Sequence, residues 1–180
     1  MKRILLAVLL ALCVAAPAVA GQTCIDVRGC GDLTGTTCAT DTNFTSQGGK
    51  PNPRLCTDTT NGFQCGLTYP ANVGTVTAAL YGYGVDATGN DCWKIECVCV
   101  AVGEEGKDPT LGTAAFVTDA DIAAGDLNKV TLSSDVASTC GGSCASGEKL
   151  KANVNRVPSG GGCTDTDTGS VDIQSFCLEY

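Results

Sequence analysis

Cys92, Cys97 and Cys99 fall within "DCWKIECVCV", and Cys140 and Cys144 follow in "CGGSC". Thiols this dense can build a metal knuckle, a dithiol redox centre or a set of disulfides. For structural zinc the C-x4-C-x-C run, with two thiols one residue apart, is an unusual arrangement, and the chain has no histidine. No C-x-x-C pair exists anywhere in it, which argues against a dithiol redox motif. On a strand, side chains two residues apart point the same way at about 7 Å, too far to bridge comfortably. Cys97 and Cys99 are therefore expected to reach separate partners, and the group reads as staples. The glycines of "CGGSC" suit a loop clip or two separate attachments.

The absence of histidine also removes Ser-His-Asp and Cys-His catalysis. Carboxylate pairs remain: Glu104-Glu105, Asp119-x-Asp121 and Asp165-x-Asp167 are spaced for glycosidase-like chemistry. All lie in predicted turns, where acids are ordinarily solvated, so no catalytic residue is assigned and the chain is not expected to be an enzyme. Oxygen-rich turns also suit calcium. "DTDTGSVD" offers Asp165, Asp167 and Asp172 as a candidate calcium site, although it lacks the closing glutamate of an EF-hand. "DATGND", with Asp86, Asn90 and Asp91, is a similar candidate. No other cofactor is expected. Among the aromatics, Tyr69, Tyr81, Tyr83 and Trp93 are candidates for sugar stacking, and Tyr81 and Tyr83 share a strand face with Val73 and Val85.

These residues sit on short runs rich in Val, Thr, Tyr and Phe: "FQCGLTY", "VGTVTAALYGYGV", "CWKIECVCVAV", "GTAAFVT", "NKVTLSS", "EKLKANVNRV" and "SVDIQSFCLEY". Turn residues separate them, which predicts an all-β antiparallel sandwich or barrel. "DADIAAGDL" is at best one helical turn, broken by Gly125. Period two places Trp93, Ile95, Cys97 and Cys99 on one face, and Lys94 and Glu96 on the other. Likewise Leu150, Ala152 and Val154 oppose Lys149, Lys151, Asn153 and Asn155. In the last run the apolar phase slips from Val171 and Ile173 to Phe176, Leu178 and Tyr180, so a β-bulge is expected near Ser175.

Residues 21–62 read differently. Apolar side chains are scarce, while Cys24, Cys30, Cys38 and Cys56 recur. This is expected to be a loop-rich appendage held by disulfides, preceding a β-sandwich domain over residues 63–180. Its sequon at Asn43 matters only in a glycosylating host.

The first residues predict export. Lys2 and Arg3 precede "ILLAVLLALCVAA", and "AVA" supplies small residues for cleavage after Ala20. That run is too short to span a membrane. Losing residues 1–20 removes two cations, taking the formal charge from −8 to −10, which opposes nucleic-acid and anionic-membrane partners. It also removes Cys13 from the 13 cysteines. The even remainder is Cys24, Cys30, Cys38, Cys56, Cys65, Cys92, Cys97, Cys99, Cys140, Cys144, Cys163 and Cys177, a disulfide framework for a secreted or cell-surface protein. Pairing stays open, since such a set allows on the order of ten thousand connectivities.

"TVTAALYGYGVDATGNDCWKIECVCVAV" resembles a stretch of the jelly-roll modules of phage tail-fibre tips and secreted bacterial surface proteins. "GEKLKANVNRV" followed by "TDTDTGSVDIQSFCLEY" is similar to their closing hairpin, and the likeness covers about residues 70–180. The cysteines and residues 21–62 depart from that pattern. The resemblance implies a jelly-roll β-sandwich used for assembly or surface recognition. The expected function is a subunit of an extracellular fibre, coat or homo-oligomer that self-associates. The alternative is a monomeric module for a surface glycan or receptor.

Overall fold

A computed structural model describes residues 20–33, 54–55, 61–71, 73–84, 89–101, 103, 110–120, 127–142, 144–167 and 169–180. Residues 1–19, Cys38, Cys56, Asn43, Asp86, Glu104, Glu105, Asp121 and most of "DADIAAGDL" lie outside the described residues.

The chain forms a jelly-roll-like sandwich of two antiparallel sheets. In chain order the strands are β1 (Gln22–Asp26), β2 (Gly31–Leu33), β3 (Arg54–Leu55), β4 (Asn61–Thr68), β5 (Thr77–Gly84) and β6 (Asn90–Val100). They continue with β7 (Ala115–Ala120), β8 (Leu127–Ser133), β9 (Lys149–Arg156), β10 (Ser159–Gly160), β11 (Cys163–Thr164) and β12 (Val171–Glu179). One sheet runs β1-β12-β5-β8, with β3 pairing the other end of β12, and the second runs β2-β4-β9-β6-β7. A short helix, α1 (Val136–Thr139), starts where the Asp135 carboxylate accepts from the Ser138 amide at 3.4 Å, an N-cap.

Period-two alternation builds the core. Ala78 and Leu80 of β5 and Val130 and Leu132 of β8 face Phe63, Leu67, Ile95, Leu150 and Val154 of the other sheet. Trp93 lies among them, 0% exposed. The β12 register shifts between Ile173 and Ser175, and the shift keeps Val171, Ile173, Phe176 and Leu178 all in the core. Gly82 lies where β5 passes β12 closely, since a Cβ there would sit 2.8 Å from the Asp172 carbonyl oxygen.

Five disulfides lie among the described residues: Cys24–Cys177, Cys30–Cys65, Cys92–Cys163, Cys97–Cys140 and Cys99–Cys144. Cys97 and Cys99 of β6 thus take separate partners, both in the loop after α1. Cys92 points to the outer face yet is buried there, with Val157, Cys163 and Phe116, under the β10–β11 hairpin.

Where the N-terminal segment is described, it is woven into both sheets. β1 lies along β12 with Cys24 opposite Cys177, and β2 lies along β4. The 3₁₀ turn Val27–Gly29 joins them and sinks Val27 into the core. Composition does not reveal these strands, because an edge strand needs few apolar residues when disulfides hold it.

Candidate functional site

Two polar constellations stand out: one gathers three carboxylates around a cation, the other sets one carboxylate between a lysine and a tyrosine. The first grows from β9. Leu150, Ala152 and Val154 face the core, and Arg156 continues the same phase with 0% side-chain exposure. Its guanidinium meets Asp91 at 2.8 Å, Asp165 at 2.7 Å and Asp167 at 2.9 Å, three carboxylates no more than 3% exposed. It also donates to the carbonyls of Leu55 and Gly169, at 3.3 Å and 2.8 Å. Burial alone would push the guanidinium pKa down, but the Asp165 hydrogen bond and the three carboxylate charges overcome this and hold it above its ordinary value.

The loop after β11 reaches this centre by crossing the start of β6. Asn90 accepts from the Thr166 amide at 2.8 Å, and its own amide donates to Thr166 Oγ1 at 3.0 Å. Gly89, at φ 126, fits beneath this crossing because a Cβ there would lie 2.7 Å from the Thr166 backbone. Asp165 and Asp167, expected to surround calcium, thus surround Arg156. Asp172 is buried on β12, where its Cα partners are Tyr83 and Arg54. Among the described residues, no group of three or more Cys, Asp or Glu side chains is arranged to hold a metal ion. In the sequence the signal for this centre is an arginine two residues beyond a core stripe, followed by "TDTD".

The second constellation lies on the outer face of the β1-β12-β5-β8 sheet. Tyr81 on β5 donates its hydroxyl to Glu179 Oε1 at 2.6 Å and accepts from Gln22 Nε2 at 3.1 Å. Lys129 on β8 meets Glu179 Oε2 at 2.6 Å. Four strands thus contribute one side chain each to a transverse polar ladder. The hydrogen bond to Glu179 raises the Tyr81 pKa above the usual phenol value, and the same carboxylate raises that of Lys129. Burial pushes the Glu179 carboxyl up, but hydrogen bonds from Lys129 and Tyr81 outweigh it and hold the group below its ordinary value.

Tyr83 stands two residues along the same strand face, and its cross-strand partner on β8 is Leu127, 53% exposed. Tyr81 and Tyr83 are therefore brought together, partly exposed. Tyr69 and Trp93 are buried and offer no ring for stacking. Asp119 accepts from Asn128 Nδ2 at 2.6 Å, linking β7 to β8.

Compared with protein families and with curated proteins, the sequence matches none. Among solved structures, the chain is similar to the CBM36-1 domain of a multidomain xylanase from the hindgut metagenome of Trinervitermes trinervoides. Identity is 11% over 88% of this chain and 96% of that one, with a TM-score of 0.44. It is also similar to the carbohydrate-binding module CBM36 in complex with calcium and xylotriose, at 12% identity over 88% and 99% of the two chains and a TM-score of 0.39. A third likeness is to the structure of infectious bursal disease virus Gx strain, at 11% identity, 89% and 32% coverage and a TM-score of 0.36.

Proposed function

We propose that the protein is an extracellular, non-catalytic recognition module that binds a neutral glycan on the outer face of the β1-β12-β5-β8 sheet. The observation that carries this reading is the fixed ring of Tyr81, with Tyr83 beside it on the same face. Sugar recognition needs an oriented aromatic ring flanked by hydrogen-bonding groups, and Gln22, Glu179 and Lys129 supply them. Their charges largely cancel, which suits an uncharged ligand. The disulfides support an oxidising compartment. Among the described residues no helix is long and apolar enough to cross a membrane.

The test is a glycan array probed with the oxidised protein, followed by titration of any hit. Tyr81→Ala and Tyr83→Ala should each weaken binding at least about tenfold, the equivalent of roughly 1.4 kcal/mol. A hit whose affinity both variants retain would move the site elsewhere.

A second reading makes the chain a subunit of a fibre, coat or homo-oligomer. Leu127 favours it, as an exposed apolar side chain next to Tyr83 on strand β8. Light scattering separates the two: Leu127→Lys should disperse an assembly built on this edge, and a wild-type monomer at every concentration would remove this reading.

A further inference from the structure

We propose that Cys24–Cys177 is a thiol-labile strap, whose reduction frees β1 from the sandwich while the other described disulfides keep the fold closed. The inference rests on how differently the described staples are placed. Cys92–Cys163 and Cys97–Cys140 are buried at both ends, and Cys65 lies in the core beneath its bond to Cys30. Cys99 and Cys144 are both half-buried. Cys24 alone among these cysteines is exposed, on the outer sheet face at the centre of β1. Thiol–disulfide exchange requires access to a sulfur, so attack falls on Cys24 Sγ.

The exchange is complete in itself. A small-molecule thiolate bonds to Cys24 Sγ, and the Cys24–Cys177 bond breaks with its electron pair on Cys177 Sγ, which then takes a proton from solvent. A second thiol resolves the mixed disulfide, so two thiols become one disulfide and the strap becomes two thiols. Ser175 Oγ lies 3.8 Å from Cys177 Sγ, placed to donate to the departing charge.

The bond sits at the middle pair of the β1–β12 ladder, which runs from Gln22 opposite Glu179 to Asp26 opposite Ser175. β1 is a five-residue edge strand with only partly buried or exposed side chains, so little apolar packing holds it once the staple opens. Cys30–Cys65 keeps the segment tethered through β2. Opening withdraws Gln22 from Tyr81 and uncovers the edge of β12. This follows whichever ligand the outer face takes.

The experiment is a graded dithiothreitol titration of the full oxidised protein. Each point is alkylated with iodoacetamide, mapped by peptide mass and followed by hydrogen exchange. Cys24 and Cys177 should label together before any other described pair. Amides of residues 22–26 should then exchange at least about tenfold faster while those of 61–68 keep their protection. First labelling at another described pair would overturn the proposal. So would unchanged protection of β1 after both sulfurs are alkylated. The Cys24→Ser/Cys177→Ser variant should show the fast exchange without reductant, and slow exchange in it would also overturn the strap. If that variant fails to fold, the wild-type titration decides alone.

Discussion

The Arg156 centre and the Tyr81 ladder use the same chemistry at opposite depths. Each sets carboxylate against cation at under 3 Å, yet Arg156 is fully buried while the Lys129 side chain is 43% exposed. In the interior, three carboxylates and one guanidinium have lost their water, and the arrangement survives because the guanidinium also serves the Leu55 and Gly169 carbonyls. It locks β3, β6 and the loop after β11 onto the end of β9. On the surface, solvent screens the Lys129–Glu179 pair and holds down its worth. What the ladder contributes is orientation of the Tyr81 ring. Depth turns one kind of contact into architecture and the other into a presented surface.

The sharpest attempt to break that contrast is Arg156→Met. It takes the guanidinium away from three buried carboxylates, and the expected cost is about 3–5 kcal/mol in urea denaturation of the oxidised protein. A cost below about 1 kcal/mol would mean the centre behaves like a surface pair.

Asp167→Asn comes next. It removes one of three charges but keeps the side chain's shape, so about 1–3 kcal/mol is expected from the same measurement. On the ladder, Glu179→Gln should cost less than about 1 kcal/mol. Its larger effect should be weaker glycan binding, since the Tyr81 hydroxyl loses its charged acceptor. Stability loss equal to that of Arg156→Met would erase the distinction between the two regions.

The smallest expected effect is the pH dependence of the ladder. Glu179 is held below its ordinary pKa, so its contribution is present above the unfolded value and fades as pH falls through the folded one. Lys129 and Tyr81 are raised, so theirs is present below the unfolded values and fades as pH rises through the folded ones. Thermal denaturation across pH should therefore show shallow losses on both flanks, and Glu179→Gln should flatten them. Unchanged flanks would assign the pH dependence to other groups.

Strand periodicity is local, and it was legible. The inward phase of Trp93, Ile95 and Cys97 and the slip near Ser175 both follow from alternation along a single run. β1 and β2 were not legible, because disulfides and neighbouring strands stabilise them more than their own apolar content. Tyr81 and Tyr83 could be placed on one face from sequence. Gln22, Lys129 and Glu179 could not be joined to them, since they lie 59, 48 and 98 positions from Tyr81 along the chain.

By itself, then, the sequence determined a β-rich chain, the phase of its core strands and a cysteine content suited to staples, all properties of neighbouring residues. The tertiary structure alone decided which cysteines pair, that Asp91, Asp165 and Asp167 converge on Arg156, and that four strands assemble one tyrosine ladder. Those outcomes depend on contacts between residues far apart in the chain, and only packing two twisted sheets together chooses among the many pairings local pattern permits.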